Sequence, residues 1–168
     1  MKHLIKSMAA IAILTLVSCG GKEEKKEDSS VKIGQSPATE VKKEEAPVSD
    51  VKPSQTIDLT NKGVGPIKSV ELGATIDDAL AAKGAELFKT NCTACHKADK
   101  KFIGPAPKGI LERRTPEWVM NMIMDPEGMT KNDPLAHALL LEFNGSPMAN
   151  QHMTEDQTRA ILEYFRTL

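Results

Sequence analysis

The chain has 168 residues, enough for about one domain, and a net charge of −1, which excludes the broad basic field of a nucleic-acid binder. Aromatic residues make up 4%, with one Trp and one Tyr, so a packed core needs another source of apolar bulk. With three cysteines, a framework in which every sulfur is paired within the chain is excluded.

The chain opens with Lys2, His3 and Lys6, followed by an apolar run from Met8 to Val17. That run is too short for a membrane-spanning helix, which needs about 20 residues. It fits the n- and h-regions of a secretory signal. The run ends in Leu16-Val17-Ser18-Cys19, which resembles the lipobox of bacterial lipoproteins. The resemblance implies that residues 1–18 are removed, that the Cys19 sulfur is lipidated and that the new amino terminus is acylated. Several acyl chains anchor durably, where one binds only marginally. Gly20, where retention at the inner membrane would call for Asp, implies the outer membrane facing the periplasm. The run Lys22–Asp28 resembles the charged tract that sends some lipoproteins to the cell surface.

Residues 20–55 hold seven Lys and eight Asp or Glu with no apolar periodicity. Such a segment cannot bury enough surface to offset its ordering entropy. Residues 19–55 therefore read as the lipidated cysteine and a disordered charged tether, with a full reach of roughly 120 Å. The composition changes at Thr56. Ile57, Leu59, Val64, Ile67, Val70 and Leu72 stand among Gly63, Gly65, Pro66 and Gly73. Residues 56–75 read as an irregular N-terminal extension, with a short strand and a turn, packed against the domain that follows.

Helical spacing begins at Ile76 and continues through Ala79, Leu80, Lys83, Leu87 and Phe88 to about Asn91. A second helix is predicted from Thr115 as N-cap with Pro116 at its first position, ending before Pro126. A third starts at Asp133-Pro134 and runs to about Phe143. The last opens on Thr154-Glu155-Asp156-Gln157, a capping box, and buries Ile161, Leu162 and Phe165. With no strand-rich stretch from residue 76 on, the domain over 76–168 is expected to be all-α, with about four helices.

Between the first two helices lies Cys92-Thr93-Ala94-Cys95-His96. Two thiols about one helical turn apart can add to two vinyl groups on one porphyrin edge, and the next residue then offers an imidazole to the iron. This is the attachment signature of c-type haem. A zinc site would need a fourth ligand and usually a second paired set. A thioredoxin-like pair would need a βαβ setting, and none is visible. Residues 76–168 resemble class I c-type cytochromes. Gly84, Phe88 and Cys92 match the spacing of that family's first helix, Tyr164 and Phe165 match the last helix that crosses it, and Gly104-Pro105 matches its Gly-Pro. The resemblance implies one covalent haem c wrapped by the helices, with the Pro105 carbonyl accepting the His96 imidazole N–H. It also implies Arg113, Arg114 and Trp118 as donors to haem propionates.

For the sixth ligand, Met148 stands in the extended run Phe143-Asn144-Gly145-Ser146-Pro147-Met148, where the family's ligand methionine sits. Met153 is the next candidate, and His137 or His152 would give bis-histidine ligation. Met120, Met122 and Met124 lie within the second helix and read as core or surface. A thioether ligand raises the reduction potential. Lys97, Lys100, Lys101 and Lys108 cluster after the motif and could steer an acidic redox partner. The sequence thus predicts an exported, lipid-anchored, monomeric electron carrier and no enzyme, passing single electrons between respiratory-chain donors and an exported reductase or oxidase. The alternatives are a five-coordinate haem peroxidase or gas sensor, and a fixed electron-entry subunit docked through residues 56–75.

Overall fold

The computed structural model describes residues 51–168. The expected signal peptide, Cys19 and the tether as far as Asp50 lie outside the described residues. The domain is built from α1 (Asp78–Asn91), α2 (Pro116–Met124), α3 (Pro126–Asn132), α4 (Pro134–Glu142) and α5 (Glu155–Phe165), with a single 3-10 turn at Ile110–Glu112. No strand forms among the described residues. The all-α expectation holds, with five helices instead of about four.

The helix starts follow from local chemistry. The Thr115 side chain accepts the Trp118 amide, Asp125 that of Gly128 and Asp133 that of Ala136, and each cap is followed by proline. Proline's missing N–H costs nothing at a first helical position, and its φ is already helical. Asp125 is at once the last cap of α2 and the first of α3, and Asp133 stands in the same relation to α3 and α4. Thr154 and Gln157 close a reciprocal capping box on α5.

Helix α1 packs against α5, α2 against α5 and α3, and α3 against α4. The α1–α5 crossing is close because Gly84 has no side chain: a Cβ there would overlap the Ala160 carbonyl oxygen. Beyond the crossing, Phe88 meets Tyr164 and Phe165 at centroid distances of 5.6 and 5.7 Å. The core gathers Trp118, Val119, Met120, Ile123, Met129, Ile161 and Leu162 with Ile67 of the extension. Each full burial of a side chain of this size contributes about 1.5–3 kcal/mol.

The extension packs as expected, but the strand is not formed. Asp58 makes one isolated bridge with Arg114, its N–H donating to the Arg113 carbonyl at 2.9 Å. Gly63, Gly65 and Pro66 interrupt any ladder beyond it. A fully buried Asn121 serves in place of a neighbouring strand. Its Oδ1 accepts the Ile67 N–H at 3.0 Å, and its Nδ2 donates to the carbonyls of Lys62 at 2.9 Å and Ile67 at 3.0 Å. Residues 51–55, assigned by composition to the tether, also lie on the domain. Pro53 and Ser54 hydrogen-bond to Arg114 and Glu142.

Candidate functional site

Helix α1 ends where the attachment motif begins. The Cys92 amide caps the helix by donating to Phe88, and the Cys95 and His96 amides both return to the Cys92 carbonyl, at 3.0 and 2.9 Å. This tight turn keeps Cys92, Cys95 and His96 within one turn of each other. Burial pushes the Cys92 thiol up to about 11, with the neighbouring Cys95 adding to the rise. Burial thus favours the neutral thiol over the exposed thiolate of a redox pair. Among the described residues no cluster of three or more His, Cys, Asp or Glu is placed to complete a zinc site.

The His96 ring is held from two sides. Its Nδ1 lies 2.8 Å from the Pro105 carbonyl oxygen. A carbonyl can only accept, so Nδ1 carries the proton and Nε2 keeps a free lone pair for a metal. Gly104 leaves room for this orientation, since a Cβ there would stand 2.5 Å from the imidazole Cε1. The loop is pinned by the Gly104 amide donating to the Cys95 carbonyl at 2.9 Å.

Cys95 and His96 face a cavity of about 490 Å³, within the range of ligand pockets. Ile103, Ile110, Leu139, Leu140 and Phe143 give it apolar walls, and Pro147 and Met148 line it as well. Of the candidate sixth ligands, Met148 lies on this wall, while Met153, His137 and His152 do not. His137 instead places Nδ1 3.2 Å from the Thr130 carbonyl, and although Met148 and Met153 both pack against the core, Met148 alone of the two also reaches the cavity. Met122, read from sequence as core or surface, also reaches the wall. Its side of α2 is set non-locally, because α5, α3 and the extension pack on the others.

Arg113, Arg114 and Trp118 all line the cavity. The indole N–H of Trp118, however, donates to Asp133 at 3.2 Å, which corrects the expectation that it serves a propionate. Arg113 donates through its terminal nitrogens to the Gly109 and Lys108 carbonyls, and Arg114 to those of Arg113, Thr56 and Pro53. The Nε atoms of both arginines are buried without a protein partner. A buried donor left unpaired costs about 1–3 kcal/mol, and both of these belong to residues that line the cavity. Apolar walls, a thiol, an imidazole with its Nε2 free and two unspent donors together fit a porphyrin bearing carboxylates. Of the lysines after the motif, Lys97 lies over the Phe102 ring at 4.8 Å and Lys101 over Phe143 at 4.6 Å.

An all-α domain presenting Cys-x-x-Cys-His at such a cavity defines a c-type haem protein. Residues 81–168 match the profile of the family described as cytochrome c. The chain belongs to the cytochrome c family, and its cofactor is covalently attached haem c. The chain is 47% identical to a cytochrome c from Rhodothermus marinus, with a TM-score of 0.59 over 61% of this chain and 88% of that one. An engineered form of the Rhodothermus marinus protein, Rma TDE, bound to a carbene intermediate, aligns with a TM-score of 0.57 at 46% identity over the same 61% and 88%. A cytochrome c2 from Rhodopseudomonas palustris is 53% identical over 34 residues, 20% of this chain, and the chain spans 29% of that relative's length. The chain is thus an electron-transfer haem protein of the class I monohaem type.

Proposed function

We propose that this chain is a lipid-tethered carrier, with His96 and Met148 as the two axial ligands of its haem, passing single electrons between membrane-linked donors and an exported reductase or oxidase. The observation that carries the reading is that His96, with Nε2 free, and Met148 line the same cavity. When bound, the haem supplies a one-electron couple. The chain's own residues attach it through Cys92 and Cys95, hold the imidazole through Pro105, and offer the Arg113 and Arg114 Nε donors to its propionates. A thioether is a weak ligand, so the stiffness of Pro147 matters: it lowers the entropy lost in holding Met148 on iron. Were His96 and Met148 both to hold the iron, no position would be left on it for a substrate, which argues for a carrier and against a peroxidase or gas sensor.

Export and anchoring rest on the Leu16-Val17-Ser18-Cys19 box. Among the described residues no helix is long and apolar enough to cross a membrane. Outer-membrane placement follows from Gly20, and an acidic redox partner from the lysines after the motif. Within residues 56–75, Ile67 is buried in the domain's own core and Asn121 holds the backbone around it, while Ile57, Leu59 and Val64 stay exposed.

Optical spectra of the haem-loaded protein in both oxidation states test the reading. The ferric form is expected to be low-spin, with the weak far-red band of iron bound to methionine sulfur. Met148→Ala should abolish that band and let the ferrous form bind carbon monoxide. If the wild-type protein is high-spin and binds carbon monoxide readily, the sixth position is open and the carrier reading fails.

A further inference from the structure

Residues 53–56 are held almost entirely by polar side chains from elsewhere in the fold. Both oxygens of the Glu142 carboxylate, at the end of α4, are taken by Ser54: Oε2 accepts its N–H at 2.7 Å and Oε1 its hydroxyl at 2.6 Å. From another element, Arg114 donates to the Pro53 carbonyl at 2.7 Å and to the Thr56 carbonyl. Arg114 is 1% exposed, and its two terminal nitrogens make these bonds while its Nε stays without a protein partner. Between the two grips the chain turns on itself, with the amides of Gln55 and Thr56 donating to the Lys52 carbonyl at 2.8 and 3.0 Å. No apolar side chain from 51–56 enters the core. Even so, Ser54 and Gln55 line the cavity shared by His96 and Met148.

A polar strap with no apolar anchor pays ordering entropy that only its hydrogen bonds can offset. We infer that Glu142 and Arg114 are positioning residues of the redox centre: they seat residues 53–56 as one wall of the haem pocket, and that wall raises the reduction potential by excluding water. The inference rests on the haem-carrier reading. Ferric iron carries one more positive charge than ferrous, so a drier pocket disfavours it. Release of the strap admits water and tips the equilibrium towards the ferric state.

The test compares Glu142→Ala with Glu142→Gln in the haem-loaded, full-length protein. Both lose the carboxylate charge, but only glutamine keeps an acceptor oxygen for Ser54, so their difference isolates the strap from the charge. Amide hydrogen exchange at Ser54 and Thr56 is expected to be about tenfold faster in the alanine variant than in the glutamine variant. Against a reference redox dye, the alanine variant should be poised about threefold further towards the ferric state than the glutamine variant. Equal exchange rates would show that Glu142 does not hold the strap. Faster exchange with equal poise would show that the strap does not tune the haem. Either result overturns the inference. The wild-type ferric spectrum tests the carrier reading separately, so the two failures are distinguishable.

Discussion

Replacing Gly84 with alanine is expected to destabilise the protein by about 2 kcal/mol, although alanine is the better helix former. In an exposed helix interior that exchange would gain about 1 kcal/mol. Here the new Cβ would overlap the Ala160 carbonyl oxygen and crowd the backbone beyond it. Backbone cannot move aside as a flexible side chain does, so α1 and α5 must separate, and overpacking of this kind costs about 3 kcal/mol. The separation would also spoil the Phe88 contacts with Tyr164 and Phe165, which lie one turn further along the crossing. Urea unfolding of the haem-loaded protein reads the effect as a lower midpoint with an unchanged slope. A midpoint at or above that of the wild type would mean the crossing is looser than described.

Glu163→Gln is expected to cost about 2–3 kcal/mol at neutral pH. Glu163 is 1% exposed on α5, and its carboxylate accepts from the Asp77 amide at 2.9 Å, from Arg166 at 2.6 Å and from Arg159 at 2.5 Å. It thereby joins α5 to the residue that caps α1. Glutamine keeps one acceptor oxygen and turns an amide donor towards two guanidinium groups. Burial alone would push the Glu163 carboxyl up, but the Asp77 amide and the two arginines outweigh it and hold it below its ordinary 4.5. Because the folded value is the lower one, the unfolded chain binds more protons as acid is added. The contribution of Glu163 is full above about pH 5 and is lost as the pH falls through the folded value. Denaturant melts of both proteins should therefore differ most at neutral pH and converge in acid. A gap that stayed constant down to pH 3 would refute this account.

Much of the fold was legible because its signals are local. A cap followed by proline marks α2 and α4, a capping box marks α5, and the attachment motif closes α1. The same kind of signal, Asp125-Pro126, stands at the start of α3, yet that helix was missed. Its seven residues include Gly128 and Thr130 and are too few to show an apolar period. What stayed hidden is non-local. Nothing in the composition of residues 51–55 foretells that Glu142 and Arg114 would hold them, because those contacts span 88 and 61 positions respectively. The Trp118 donor is hidden for a related reason: Asp133-Pro134 marks a helix start in the sequence, and only the fold brings the indole N–H to the same carboxylate.

The shared caps Asp125 and Asp133 leave α2, α3 and α4 without a single residue of slack between them. Each helix hands its axis to the next through one side chain whose geometry is fixed at both ends. Adding one residue inside α3 would rotate everything after it by about 100°. The inward side of α4, with Leu139 and Leu140, would then turn away from the cavity it lines. Length is accordingly frozen from Thr115 to Glu142, and variation in chain length belongs to stretches such as 97–103, which join elements without sharing their ends and carry no proposed ligand of the iron.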